Sequence, residues 1–173
     1  RFYREKMLCL TAEPNAAHKK LAELEQHGKQ IAVITQNIDG LHQKAGSQTV
    51  FELHGSVLRN FCTKCGKAYS ADFIRHGNGL PLCSCGGLIK PDVVLYEEGL
   101  DESTVAGAVE AIANAQLMIV AGTSLTVYPA AGLLRYFGGD HLVQINRTAT
   151  QIDETADLLI RGSVGETLTQ IHV

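Results

Sequence analysis

Two pairs of cysteines, Cys62-x-x-Cys65 and Cys83-x-Cys85, are the first residues in this chain whose type and spacing could do chemistry. Seventeen residues separate the pairs. That approximates the ribbon spacing that brings four thiolates around one tetrahedral Zn²⁺. Gly66 and Gly86-Gly87 follow the pairs and allow tight knuckle turns. The second pair is one residue tighter than usual, and a redox pair at Cys62/Cys65 or free cysteines are the competing readings. Four thiolates close the coordination sphere and leave no position for a reactive water. Such a zinc is structural, contributing roughly 10–16 kcal/mol of apparent binding energy to a module with little core. Bond-breaking chemistry has to come from elsewhere. Cys9 stands apart and reads as a buried apolar residue.

The second candidate is Gln36-Asn37-Ile38-Asp39-Gly40, which follows the apolar run Ile31–Ile34. In a parallel α/β sheet a strand's C-terminal end is where ligands bind, and amide and carboxylate groups there can grip a ribose or an amide. The competing reading is an ordinary turn in which Asn37 and Asp39 cap the next helix. His54-Gly55 ends a second apolar stretch. A histidine there titrates near neutrality and suits a general base, or is simply a satisfied turn residue. Gly122-Thr123-Ser124 and Asn146 end two further apolar runs. Clustering at several strand ends is harder to explain as turn chemistry than any one motif.

The elements needed to position these groups are legible as follows. Glu13-Pro14-Asn15 opens a helix with Pro at its first position, with Ala17, Leu21 and Leu24 as its apolar stripe and Gly28 closing it. Strands are expected at 31–35, 50–53, 117–121, 141–145 and 158–160, with an extended segment at 93–96. Helices are expected at 41–45, 103–115, 129–137 and 164–171, with Val105, Val109 and Ile112 on one face of the second. Residues 56–91 carry no long periodic element and read as an insertion. Alternating strands and helices imply a parallel sheet covered on both faces. The expected fold is therefore α/β: a Rossmann-like parallel sheet with helices on both faces, formed by residues 1–55 and 92–173, plus a small inserted zinc-ribbon module at 56–91. The chain begins at Arg1, inside an expected helix and without Met, so an upstream piece is expected to be missing.

Composition narrows the class. The chain has 173 residues, 45% hydrophobic and 19% charged, which fits a globular protein with one sizeable core. A formal charge of −3 without a Lys/Arg block argues against nucleic acid or a membrane surface as partner. No apolar run approaches the ~20 residues that span a bilayer, and no secretory leader is legible. Five cysteines, four of them clustered, fit a metal site in a reducing, cytoplasmic compartment better than a disulfide framework. Oligomeric state is not readable.

Taken together, Gln36-Asn37-Ile38-Asp39-Gly40-Leu41-His42, His54-Gly55, the cysteine pairs, Lys90-Pro91-Asp92-Val93-Val94-Leu95-Tyr96-Glu97-Glu98, Gly122-Thr123-Ser124-Leu125 and Asn146 make the chain resemble a sirtuin, with wording closest to bacterial members. The resemblance implies an NAD-dependent protein-lysine deacetylase or deacylase. NAD is consumed as co-substrate, one structural Zn is bound, and acyl-lysine proteins or peptides are the partners. It implies that His54 is the catalytic base, and that Asn37 and Asp39, with Gln36 and Ile38, hold the nicotinamide ribose and carboxamide. Gly122, Thr123 and Ser124 would meet ribose and phosphates, and Asn146, Arg147 and Thr148 the adenosine ribose. Val164 would lie near adenine. Val94, Leu95 and Tyr96 would pair with the substrate as an added strand. Cys62, Cys65, Cys83 and Cys85 would hold the metal. The implied products are nicotinamide, free lysine and O-acyl-ADP-ribose. Protein mono-ADP-ribosyl transfer, or a non-catalytic zinc-stabilised module, are the alternatives.

Two departures qualify the resemblance. The Gly-Ala-Gly phosphate loop and Pro-Asp-Phe-Arg segment that open sirtuins are not in the sequence, so the chain alone is expected to bind zinc but turn over NAD poorly. Glu97 stands where many sirtuins have glycine, and with Glu98 and Asp101 it would favour basic residues flanking the target lysine.

Overall fold

The computed structural model describes residues 2–172, so Arg1, from which the missing-piece expectation is counted, lies outside the described residues. A π-helical turn at Tyr3–Met7 leads to α1 (Ala16–Gln26), β1 (Val33–Thr35), α2 (Leu41–Ala45) and β2 (Val50–Glu52). Then come β3 (Gly55–Cys62), β4 (Ala68–Ser70), α3 (Ala71–His76) and β5 (Ile89–Val93). The chain closes with α4 (Glu102–Ala113), β6 (Leu117–Ala121), a 3₁₀ helix (Ala130–Tyr136), β7 (His141–Ile145), β8 (Leu158–Ile160) and α5 (Val164–Leu168).

The parallel strands fall into two groups among the described residues. β1 pairs β2, with Val33 opposite Val50 and Thr35 opposite Glu52. β6, β7 and β8 form a second parallel sheet in that order, with Ala121 beside Ile145 and Ile145 beside Ile160. One apolar core ties the groups together. Leu53 packs with Ala108 and Ile112 of α4 and with Ala130 and Leu133 of the 3₁₀ helix, and Ile34, Phe51 and Met118 close around them. This is the α/β layering expected of alternating strands and helices. A third, antiparallel sheet has the order β4-β3-β5 and carries its own small core of Cys62, Ile74, Cys83 and Ile89.

Several elements differ from the sequence-based expectation. α1 starts at Ala16, not at Pro14: the Asn15 side chain accepts the His18 N–H and His18 Nδ1 accepts the Asn15 N–H, a reciprocal cap that sets the first turn. Its buried positions are His18, Lys20, Ala22 and Leu24, with Ala17 and Leu21 half-buried. The stripe widens because α1 is packed by both α2 and α5. Lys20 lays its stem inward and ends its ammonium 2.8 Å from Glu23. Residues 130–136 form a 3₁₀ helix instead of an α-helix. The extended segment after the cysteines runs from Ile89, not Val93, and pairs with the eight-residue β3 that replaces the expected irregular stretch. Both strands are stabilised by partners distant in sequence, which local periodicity does not register.

α4 lies directly on β2. A methyl group on Gly107 would meet the Phe51 ring at 2.5 Å. Ala ordinarily improves a helix interior over Gly by about 1 kcal/mol, but here overpacking outweighs it. Gly107→Ala is expected to lower unfolding free energy by about 1–2 kcal/mol in urea titrations, and adding Phe51→Leu should recover most of the loss.

Candidate active site and metal centre

The C-terminal ends of β1 and β2 are laced together by bonds from side chains to the loop's backbone and from backbone to backbone. The loop after Thr35 turns first on the Thr35 hydroxyl, which accepts the Asn37 N–H at 3.0 Å. His54 Nδ1 then donates to the Gln36 carbonyl at 3.0 Å, and Val57 N–H donates to the Ile38 carbonyl at 3.0 Å. A carbonyl only accepts, so the ring proton sits on Nδ1 and the Nε2 lone pair is left for another partner. Asp39 Oδ1 accepts the Leu41 N–H at 3.0 Å, starting α2 behind a left-handed Gly40. Asn37 is exposed and His54 half-buried. The structure therefore brings Gln36, Asn37, Ile38, Asp39 and His54 into one constellation with its backbone pinned. Asp39 caps α2 through Oδ1, as the turn reading expects, and its second oxygen takes no hydrogen bond among the described residues.

Gly55 makes this possible. Its φ is +74°, and a Cβ would sit 2.0 Å from the Asp92 carbonyl oxygen. Only glycine allows β5 to approach so closely. In the same turn the His54 carbonyl accepts the Val94 N–H at 3.1 Å, which lays Val94 beside His54. Leu95 and Tyr96 continue outward and are exposed. The turn beyond them is braced by Glu98, which accepts the Leu95 N–H at 2.9 Å and pairs with Lys90 at 2.6 Å. Glu97 adopts φ +71°, an uncommon conformation for a residue with a side chain. Arg59 bridges Glu52 at 2.6 Å and Asp92 at 2.8 Å, tying β2, β3 and β5 together. Neither brace was anticipated: Arg59–Asp92 joins residues 33 apart, and the Glu98 contacts depend on how the turn after Tyr96 folds back. Asp101 caps α4, and hydrogen bonds from the Ser103 hydroxyl and then the Thr104 amide hold its carboxyl down at about 2.

A second cluster sits at the ends of β6 and β7. Gly122 (φ +61°) donates its N–H to the Ile145 carbonyl at 3.1 Å. Asn146 is buried, and its amide donates to the Thr123 carbonyl at 2.9 Å and the Thr148 carbonyl at 3.1 Å. Asn146 thus clamps the 122–124 loop to the 146–148 loop and keeps only Oδ1 uncommitted. The Thr123 hydroxyl accepts the Leu125 N–H, and Ser124 bonds Thr126 at 2.7 Å. Arg147 and Thr148 are exposed, and Val164 lies against Gly122.

At the far end of β3 the four cysteine sulfurs lie within 4.8 Å of one another. Cys62 and Cys85 are 3.5 Å apart and Cys65 and Cys83 3.6 Å. A tetrahedral zinc with 2.3 Å bonds has sulfur–sulfur edges of about 3.8 Å, so the donor set fits. The Cys85 amide and then the Tyr69 phenol pull Cys83 down to about 5. The Gly87 amide also pulls on Cys85, yet the neighbouring sulfurs of Cys65, Cys83 and Cys62 push it up to about 12. Adjacent thiols resist ionising together unless a cation joins them. Cys9 is exposed, contrary to the buried residue expected of it, because it lies in the irregular segment that follows the π-helical turn and belongs to no core cluster.

The chain is similar to known proteins in both sequence and fold. The profile described as the Sir2 family matches residues 1–129. An NAD-dependent protein deacetylase of Clostridium acetobutylicum is 55% identical over 172 residues, covering 98% of this chain and 70% of the relative. One from Cutibacterium acnes is 54% identical over 171 residues, covering 99% and 70%. A solved Sir2 with a p53 peptide and NAD⁺ superposes with a TM-score of 0.90 at 42% identity, covering 98% of this chain and 74% of that one. A Sir2 bound to acetylated peptide gives 0.89 at 40% identity, covering 98% and 74%.

Two outcomes follow from the geometry. Gly55→Ala should destabilise the fold by about 3 kcal/mol or more, read from chemical denaturation. The second concerns His42, whose ring sits 4.5 Å from that of buried His18. Burial first, and then His18, hold His42 down at about 4 against the opposing charge of Asp39. Burial likewise lowers His18. Both rings are neutral in the folded state at neutral pH, while unfolded histidines take up protons near 6.5. Stability should be level above that pH and fall as pH drops from about 6.5 toward 4. His42→Phe should flatten the decline in pH-dependent urea titrations, and an unaltered slope would count against the assignment.

Proposed function

The chain belongs to the Sir2 family and is an NAD-dependent protein deacetylase, and we propose that it works through His54 as general base between the ends of β1 and β2. The observation that carries this reading is the His54 Nδ1–Gln36 carbonyl bond at 3.0 Å, which leaves Nε2 basic at the rim of the constellation. NAD, when bound, supplies a scissile bond to nicotinamide and a ribose hydroxyl that can accept the acyl group. Asn37 and the uncommitted oxygen of Asp39 hold the nicotinamide ribose and carboxamide, with Gln36 and Ile38 fixed beneath them. His54 takes the proton from a ribose hydroxyl through Nε2, while the Gln36 carbonyl steadies the resulting imidazolium through Nδ1–H.

The adenosine half falls to the second cluster. Gly122, Thr123 and Ser124 face the phosphates and adjoining ribose. Asn146 Oδ1, Arg147 and Thr148 meet the adenosine ribose, and Val164 the adenine. The clamp formed by Asn146 supports this, since it fixes both loops and leaves one acceptor for a sugar hydroxyl. Residues 1–55 and 92–173 form the NAD-binding domain and 56–91 the zinc module, with Cys62, Cys65, Cys83 and Cys85 as a structural site. The acyl-lysine peptide lies along Val94, Leu95 and Tyr96. β5 pairs only with β3 among the described residues and so offers a free edge next to His54. A thiolate site of this kind suits a reducing, cytoplasmic setting, and no helix among the described residues is long and apolar enough to cross a membrane.

Assayed in the full-length gene product, His54→Ala should lower nicotinamide release and O-acyl-ADP-ribose formation at least 10²-fold while leaving zinc content at the parent level. Retained turnover would falsify the assignment of His54.

A further inference from the structure

Four thiolates around one Zn²⁺ leave two net negative charges on the centre, and stability depends on donors that spread this charge. The backbone supplies some: the Lys64 N–H points to Cys62 Sγ at 3.4 Å. The Tyr69 hydroxyl adds a side-chain donor, 3.0 Å from Cys83 Sγ. The Ser84 hydroxyl is 3.9 Å from the same sulfur, too far to do equal work.

Tyr69 is also held in place. Its backbone pairs with Asn60 on β3, the strand that ends at Cys62. Its ring packs at 4.7 Å against Phe73, on the first turns of α3, and Lys67 Nζ sits 5.6 Å from the ring on another side. The phenol is therefore aimed by a strand, a helix and a cation, and does not reach the sulfur by chance rotation of a free side chain. Cys65 is exposed, so a competing ligand can approach the cluster from one side while Cys83, on the buried side, is guarded by the phenol.

We infer that Tyr69 is the outer-shell hydrogen-bond donor that determines how firmly this centre retains its metal, acting on the Cys83 thiolate. The inference rests on zinc occupancy of the four cysteines. Loss of the hydroxyl leaves one thiolate with more charge than the site can spread and opens the route by which an incoming ligand displaces Cys83.

The test is zinc transfer to the chromogenic chelator 4-(2-pyridylazo)resorcinol from full-length protein, with bound zinc counted beforehand. Tyr69→Phe should keep one zinc per chain but release it about tenfold faster. Phe73→Leu, which removes the ring contact and keeps the hydroxyl, should speed release much less than Tyr69→Phe, because the strand pairing and Lys67 still hold the ring. Cobalt-loaded Tyr69→Phe should show a shifted sulfur-to-metal absorption band. Difluorotyrosine at position 69, a stronger donor of nearly the same shape, should slow release, and decides the matter if Tyr69→Phe does not fold. Release from Tyr69→Phe at the parent rate, or equal acceleration by Phe73→Leu, overturns the role of the phenol. A parent protein that purifies without zinc overturns the occupancy on which it rests, and the initial count separates the two failures.

Discussion

A carbonyl oxygen that can only accept, placed against a ring nitrogen, organises this site. The Gln36 carbonyl takes the His54 Nδ1 proton, and one turn later the Ile38 carbonyl takes the Val57 N–H. These two bonds convert the loop after β1 from a flexible connection into a rigid rim. They use backbone on the loop side, so the side chains of Asn37 and Asp39 remain available. Rigid placement matters because a base or a ribose-binding amide displaced by about 1 Å can lose two orders of magnitude in rate. The same bonds require β2, β3 and β5 to converge at one point, and convergence is possible only because Gly55 has no side chain to collide with Asp92.

The two clusters solve different problems with similar means. Around His54 the backbone is fixed by a side chain that keeps its second ring nitrogen, the atom proposed as base, out of that bond. Around Asn146 the backbone is fixed by a side chain that spends both amide protons on carbonyls and so becomes part of the scaffold. The sheets that carry the clusters share no strand pairing among the described residues. Their relative position is held by packing, through Leu53, Ala108, Ile112, Ala130 and Leu133. Close-packed interiors transmit displacement efficiently, so the tight seat of α4 on β2 bears on both ends of the site.

Elements with a strong local signature were legible in the sequence. β6, β7, β8 and α2 begin and end at the expected residues, since each is an apolar run or a short turn bounded by glycine or a polar break. The polar residues proposed for the site stand at strand ends, where the sequence put them, and the cysteine spacing survives as sulfurs within bonding range of one metal. The rest depended on partners far along the chain. β3 is a strand because β5 and β4 flank it, and Arg59 is a brace because Glu52 and Asp92 meet it. The His18–His42 contact joins helices whose sequences say nothing of each other. Pro14 was a reasonable helix start, but the reciprocal Asn15–His18 bonds are stronger punctuation than a preset φ.

β3 carries Gly55 at one end and Cys62 at the other, and its register against β5 shifts between Ser56 and Asn60. Cys62 pairs with Ile89 at one end and Gly55 with Val93 at the other, so the cysteine cluster and the turn at His54 are the two ends of one strand pair. The thiolate knot and the cleft are therefore coupled in series, like a tent pole and its guy line, and do not rest on independent footings. The shift divides the pairing into two short runs, and the run at Gly55 holds only two pairs, Gly55 with Val93 and Ser56 with Asp92. The cysteine cluster and the rim thus share one strand, and a change in β3 reaches both.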